Sequence, residues 1–407
     1  MGERNRVGAD HNDRRATHER NALQGIERGI GGMDRRIYLD FNASTPIAPE
    51  AASAMRPFLT DHYGNPSSLH WAGMPAKDAV ERARGQVAGL LGCDPTEIVF
   101  TSGGSEANNH AIKGIFLANR DRGDHIVTTA VEHPATIEPC RFLERSLAAK
   151  VTVLPVDRYG SVDPDDVRKS ITPRTILITV MHANNEVGTI EPIPEIAAIS
   201  REAGVVFHTD AAQSVGKIPT DVEELGVDLL SVAGHKVYAP KGIGALYIRE
   251  GTKVDPFVHG AGHEGGRRAG TENVLLAVAL GAACEVARPW VGMPQTRSLR
   301  DRFWDGLKKI FGEDITLNGH PAERLPNTLN INLAGRVGAE ILAKMPGVAA
   351  STGSACHAGS VTLSPVLAAM GVPPGEGMGA IRFSLGRTTT WEELEEVLHT
   401  LKEIRIV

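Results

Sequence analysis

The sequence predicts an α/β protein with a large, mainly parallel sheet domain and a smaller α+β domain. Three observations carry this expectation. Short runs rich in Val, Ile and Thr alternate with amphipathic stretches at a spacing of one strand and one helix. That alternation stops near Pro289, and the 407 residues exceed what one domain of ordinary size holds.

In chain order, Ile37-Tyr38-Leu39 is a first strand-like run. Strands are then predicted at 98–100, 125–129, 151–155, 175–180, 205–208, 229–232 and 244–248, each bounded by turn residues. Between them, 76–91, 108–120 and 193–203 repeat apolar side chains at helical spacing. Beyond Pro289 come a helix over 298–311, short strands near 328–333 and 380–385, and a terminal helix over 391–402. The organisation implied is a large domain over 45–290 and a small domain made of 33–44 together with 291–407. Residues 1–32 read as a disordered tail, since the first 36 residues hold eight arginines, six acids and few large apolar side chains.

Composition excludes several classes. The 43 Lys and Arg against 49 Asp and Glu leave a net charge of −6, which argues against a nucleic-acid surface spread over the chain. At 42% hydrophobic and 23% charged, the chain is ordinary for a folded protein. Its 44 glycines and 24 prolines point to many functional turns. Four cysteines without a CxxC pair support neither a disulfide scaffold nor structural zinc. The most apolar run, 274–284, contains Gly281 and falls short of the roughly 18 residues that cross a bilayer. The N-terminal stretch has no apolar signal core and is too acidic for a transit peptide, so the expected location is cytoplasmic.

In open parallel sheets, ligands collect beyond the carboxyl ends of the strands. Four strand ends carry polar residues. After 98–100, Thr101-Ser102-Gly103-Gly104-Ser105-Glu106 leads into a helix, a turn able to offer amides to a phosphate, although such turns are more often simple caps. Strand 205–208 runs into Asp210 and Gln213; a buried acid there needs a partner or a ligand, and the bland alternative is a helix cap. Strand 229–232 runs into Gly234-His235-Lys236, with Lys236 lying 26 residues after Asp210. Consecutive parallel strands would thus bring an acid and a lysine to one side. A lysine can form a Schiff base with an aldehyde while an acid keeps a pyridine nitrogen protonated, the pair that pyridoxal phosphate requires, whereas a lone loop lysine is mostly solvated. Strand 125–129 leads to Glu132-His133, an imidazole able to stack on a flat ring or to move protons.

From Ile37 to the C-terminus the chain resembles the pyridoxal-phosphate cysteine desulfurases of fold type I, of the class-V aminotransferase-like group with a long catalytic loop. The segments that carry the resemblance are Tyr38-Leu39-Asp40-Phe41-Asn42-Ala43-Ser44-Thr45-Pro46, Gly64-Asn65-Pro66-Ser67-Ser68, Phe100-Thr101-Ser102-Gly103-Gly104-Ser105-Glu106, Ala183-Asn184-Asn185-Glu186, Asp210-Ala211-Ala212-Gln213-Ser214, Gly234-His235-Lys236, Ala269-Gly270-Thr271-Glu272-Asn273 and Gly353-Ser354-Ala355-Cys356. The selenocysteine lyases are similar over the same length, notably in Cys356-His357 followed by Ser364-Pro365-Val366-Leu367.

The resemblance implies that Lys236 binds the cofactor covalently, that Asp210 pairs with the pyridinium nitrogen, and that Gln213 hydrogen-bonds the phenolic oxygen. It implies that His133 stacks on the ring, that Gly104, Ser105 and His235 hold the phosphate, and that Thr271 reaches in from a second subunit of a homodimer. Asn185 and Arg382 would hold the substrate carboxylate. One departure is Ala233, where the family often has a serine on the phosphate.

Among the cysteines, Cys356 lies in a run of small residues, 351–360, without helical or strand period, which reads as a mobile loop; Cys93, Cys140 and Cys284 sit in helical, turn or apolar periodic surroundings. The implied reaction converts L-cysteine to L-alanine and leaves sulfur as a persulfide on Cys356, with Lys236 and His133 moving protons and His357 a weaker candidate for activating the thiol. A sulfur-acceptor or scaffold protein for iron-sulfur or other sulfur biosynthesis is the implied partner. L-selenocysteine is the rival substrate, with an aminotransferase and a cofactor-free sulfur relay as more distant readings.

Overall fold

The structure is a computed structural model that describes residues 36–352, 354–357 and 360–406; the tail expected over 1–32 lies outside the described residues. The Val-, Ile- and Thr-rich runs form seven strands: β1 (Ile98–Thr101), β2 (His125–Thr129), β3 (Lys150–Leu154), β4 (Thr175–Thr179), β5 (Val206–Asp210), β6 (Leu229–Ala233) and β7 (Gly244–Ile248). They make one sheet in the order β1-β7-β6-β5-β4-β2-β3. Only β7 runs antiparallel to its neighbours, so β1 points the same way as the five parallel strands.

Successive side chains of a strand point to opposite faces, and here both faces are buried. Val127, Ile178, Leu230 and Tyr247 join one core with Val80, Val87 and Leu280. Their neighbours Ile126, Leu177, Leu229 and Leu246 join the opposite core with Ile112, Ile115 and Phe116. The first core is closed by helices α1 (Met74–Leu91) and α5 (Val274–Ala287), the second by α2 (Gly104–Ala118) and α3 (Pro134–Leu147). Helix α4 (Ile193–Ala203) supplies Ile193, Ile196 and Ala197 to the first core, and ends at Gly204, whose φ of 65° is the left-handed stop that glycine accepts most readily.

Helix α2 starts four residues earlier than the apolar spacing predicts, at Gly104 instead of 108. Its first turn is Gly-Ser-Glu-Ala, which carries no apolar period and so hides the start. Strand β5 likewise runs on to Asp210, because Thr209 and Asp210 pair with Leu230 and Ser231 of β6.

A second, four-stranded sheet is antiparallel. Strands β8 (Ile315–Asn318), β9 (Thr328–Leu333), β10 (Ser351–Thr352) and β13 (Ala380–Ser384) lie in the order β10-β13-β9-β8. Its core gathers Leu329, Ile331, Ile381 and Phe383 against α6 (Pro294–Phe311) and α7 (Trp391–Ile406), with Phe303 and Phe383 meeting edge to face at 5.2 Å. Ile37 and Leu39 are buried in this same core, and Ile37–Tyr38 pairs parallel with Val348–Ala349. Among the described residues no single helix is long and apolar enough to cross a membrane.

The expected loop around Cys356 is instead a two-stranded antiparallel ribbon, β11 (Ser354–His357) with β12 (Ser360–Leu363), in which Cys356 pairs with Val361. Ribbon pairing uses backbone groups alone, so it needs none of the apolar alternation on which the sequence reading relied.

A buried ion pair anchors β1. Glu264 takes Arg84 by both oxygens, at 2.7 and 3.0 Å, and also accepts the Phe100 amide at 2.9 Å. Glu264→Ala leaves the Arg84 charge only the exposed Glu81 carboxylate, 3.3 Å away, beside its bond to the Ile98 carbonyl, and it leaves an unsatisfied strand amide. The expected loss is about 3 kcal/mol, read as a lowered midpoint in denaturant unfolding; an unchanged midpoint would contradict this role.

Candidate active site

The ends of β1, β2, β5 and β6 converge on a cleft of about 270 Å³ lined by Gly104, Ser105, His133, Asn185, Asp210, Gln213, His235 and Lys236. A larger hollow of about 950 Å³ lies at the other ends of the strands, but its Arg249 is already engaged by Glu223 and Asp228 and it holds none of these residues. The smaller cleft is where the chemistry is concentrated.

Each lining residue is placed by the element before it. Gly103 has a φ of 151°, and Gly104 lies so close to Ala233 that an added Cβ would come within 3.1 Å of the alanine methyl. The first-turn amides of α2, which have no intrahelical acceptor, are thereby brought to the cleft wall. His133 caps α3, its Nδ1 accepting the Ala135 amide at 3.1 Å, which leaves the ring proton on Nε2. Burial lowers its pKa, opposed by the carboxylate of Asp210 and reinforced by Lys236, so the ring is neutral around neutral pH.

Asp210 closes β5 with both oxygens engaged. Oδ2 accepts Asn108 Nδ2 at 2.7 Å and Oδ1 accepts the Ala212 amide at 2.9 Å. Asn108 is buried one turn into α2, and its own Oδ1 has no protein partner among the described residues. Gln213 donates Nε2 to the Asn42 carbonyl at 2.9 Å. His235 reaches Ser44 Oγ at 3.3 Å, and burial, then the charges of Lys236 and Lys241, lower its pKa to about 4.

Lys236 follows β6 through a short helical turn, Gly234–Lys236. Its Nζ donates to the carbonyls of Asn42 and, at 2.7 Å, Ala43. Burial first and the Arg382 guanidinium second bring its pKa down to about 8, against the pull of Asp40 and Asp210. Such an amine can shed its proton close to neutral pH, as an amine that attacks a carbonyl must.

Arg382, on β13, stands beside the cleft without lining it. Nη1 donates to the Asn185 carbonyl at 3.0 Å, while Nη2 meets Asp40 Oδ1 at 2.6 Å and Ser351 Oγ at 2.9 Å. Its Nε has no protein partner among the described residues. Thr271 is exposed and is not part of this cleft wall. The Cys356 side chain lies outside what the structure describes. Three residues here escaped the sequence reading as individuals: Asn42, Asn108 and Lys217. The available signals were helical offsets of four, Asn108 after Gly104 and Lys217 after Gln213, and the position of Asn42 within a resembling segment.

Residues 37–397 match the aminotransferase class-V family. The cysteine desulfurase IscS of Dictyoglomus turgidum is 49% identical over 376 residues, covering 91% of this chain and 95% of that protein. The chain belongs to the class-V aminotransferase family, among its cysteine desulfurases. Solved structures agree. One described as a NifS-like protein superposes with a TM-score of 0.85 at 35% identity, covering 91% of this chain and 99% of that one. Another, described as SspA in complex with cysteine, has a TM-score of 0.77 at 38% identity, covering 86% and 98%. The fold is therefore fold type I, as expected from the sequence.

Cys93, Cys140 and Cys284 are each pushed up to about 12, chiefly by burial. These thiols are expected to resist alkylation by iodoacetamide in the native protein at neutral pH; rapid labelling of any of them would contradict its raised pKa. In cofactor-free protein, acylation of Lys236 followed by peptide mass spectrometry is expected to show a midpoint at pH about 8. Arg382→Ala removes a repelling charge and should raise that midpoint. An unmutated midpoint above ~10, the ordinary lysine range, would overturn the electrostatic account.

Proposed function

We propose that this chain is a cytoplasmic, pyridoxal 5'-phosphate-dependent cysteine desulfurase that moves sulfur from L-cysteine to Cys356. The observation that carries the reading is a half-buried lysine of lowered pKa sharing one cleft with a buried strand-end carboxylate and a glycine-opened helix start. The residues fit the cofactor. Gly104 leaves the α2 amides open to a phosphate, with Ser105 and His235 beside them, and the unpartnered Asn108 Oδ1 leaves a polar atom buried beside Asp210. When bound, the cofactor supplies an aldehyde that condenses with amines and a ring that withdraws electrons from the adjoining carbon.

The chain's own residues supply the rest. Asp210, oriented by Asn108 and the Ala212 amide, holds a proton on the ring nitrogen. His133, on the cleft wall, would cover the ring's face. Arg382 and Asn185 take the substrate carboxylate, Arg382 through its free Nε and whatever Asp40 yields. Lys236, near its pKa at neutral pH, takes and returns the proton at the substrate α-carbon. His133, neutral with its proton on Nε2, serves proton transfer at the departing sulfur. In the net step, a bond forms between Cys356 Sγ and the substrate sulfur as the substrate C–S bond breaks. The sulfur ends as a persulfide, and the carbon fragment takes up a proton and leaves as L-alanine.

Thr271 completes the partner's site in a proposed homodimer. Four exposed apolar side chains close together in the sequence, Leu59, Tyr63, Leu69 and Trp71, with Trp71 81% exposed, support a covered face on this molecule. A sulfur-acceptor or scaffold protein would then receive the persulfide.

Two measurements follow. Cys356→Ser should lower alanine production from L-cysteine by at least ~100-fold without loss of the bound cofactor's visible absorbance. Intact turnover would instead favour an aminotransferase, and no visible band in the purified protein would remove the cofactor reading; negligible sulfide from cysteine beside rapid selenide from selenocysteine would move the substrate to the selenium analogue. Light scattering during assay should give a dimer mass, and a fully active monomer would refute the role of Thr271.

A further inference from the structure

Lys217 is an unusual group to bury. It lies one turn beyond Gln213, only 5% exposed, and among the described residues its Nζ has no carboxylate in hydrogen-bonding contact. The charged groups facing it, Lys236, Arg382 and Arg387, are all cationic. Burial and these charges hold its pKa well below the ordinary lysine value. What Nζ does contact is two amide oxygens, Gln213 Oε1 at 2.8 Å and Asn42 Oδ1 at 3.2 Å.

An amide side chain presents an acceptor at one end and a donor at the other, and its shape does not decide which way round it sits. An amine bearing N–H groups decides it. With Oε1 held by Lys217, the Gln213 Nε2 group must point the other way, to the Asn42 carbonyl that also receives Lys236. Asn42 is fixed likewise. Its Oδ1 takes Lys217 and, at 3.0 Å, Asn327 Nδ2, which leaves its Nδ2 to donate to Thr328 Oγ1 and the Asn185 carbonyl. A small void of about 10 Å³ lined by Lys217 and Lys236 has room for about one water at most, so bulk solvent does not readily replace the amine.

We propose that Lys217 is a positioning residue that locks the Gln213 amide with its NH₂ end toward the Lys236 cleft, setting a donor against the anionic ring oxygen of the bound cofactor. This rests on the pyridoxal phosphate reading above. A donor to an anionic oxygen favours the anion and so lowers the pH at which the adjoining proton leaves. Without Lys217 only the bond to the Asn42 carbonyl, which Lys236 also uses, holds that sense; the amide then turns its oxygen to the same place more readily, and that pH rises.

The test is a pH titration of the visible absorbance of the holoenzyme, with cofactor content and folding followed by absorbance and circular dichroism. Lys217→Met and Gln213→Leu should each raise the midpoint by ~1 unit. The double variant should shift no further than Gln213→Leu alone, because both substitutions remove the same donor. An unmoved midpoint in Lys217→Met beside a shifted one in Gln213→Leu overturns the inference, as do additive shifts, which would mean that Lys217 acts by charge and not through Gln213. An unmoved midpoint in Gln213→Leu overturns both the inference and the placement of Gln213 on the cofactor, a distinct signature. Should Lys217→Met not fold, Lys217→Arg, which carries donors and no acceptor, keeps a donor for Gln213 Oε1 and is expected to stay within ~0.3 unit of the parent; a shift as large as that of Gln213→Leu overturns the inference.

Discussion

The half-buried Lys236 amine is set against backbone carbonyls with no carboxylate in hydrogen-bonding contact among the described residues, and most of the site's arrangement depends on that constraint. Burying an ammonium is costly unless it is paired, and here the cost appears as a pKa lowered to about 8. The carbonyls that receive it, Asn42 and Ala43, belong to the segment that joins the two sheets. Asn42 N donates to Ser384 Oγ of the small sheet, whereas Thr45 N donates to the His235 carbonyl of the large one. The reactive amine therefore sits at the seam, and its surroundings require both sheets to be in place.

Charge around the amine is arranged in opposing pairs. Arg382 disfavours the ammonium and Asp40 tempers Arg382, at 2.6 Å. Asp210 favours the ammonium, but its oxygens are occupied by Asn108 and a backbone amide. In the proposed reaction this balance lets one lysine both take and return a proton without an extreme pKa in either direction. The thiols of Cys93, Cys140 and Cys284, raised to about 12, are correspondingly inert, which leaves the proposed sulfur chemistry to the ribbon that carries Cys356.

Much of this was legible in the sequence because parallel sheets obey a simple rule: strand ends on one side form the ligand site. Asp210 and Lys236, one helix and one strand apart, had to emerge together, and they do. Asn42, Asn108 and Lys217 were not legible as site members. A polar residue in a helix or a loop carries no sign of burial, and only the packing shows that all three point inward. The start of α2 was hidden for a related reason, since a first turn of Gly, Ser and Glu has no apolar period. The ribbon around Cys356 was missed because backbone pairing alone defines it.

The central claim, that sulfur moves from substrate to Cys356, is tested most directly by single-turnover incubation of the holoenzyme with L-cysteine carrying labelled sulfur, followed by mass spectrometry of the peptide containing Cys356. The account predicts one labelled sulfur atom on Cys356, removable by a thiol reductant, formed together with one equivalent of alanine. Alanine appearing without label on that peptide, or label on Cys93, Cys140 or Cys284 instead, would contradict it.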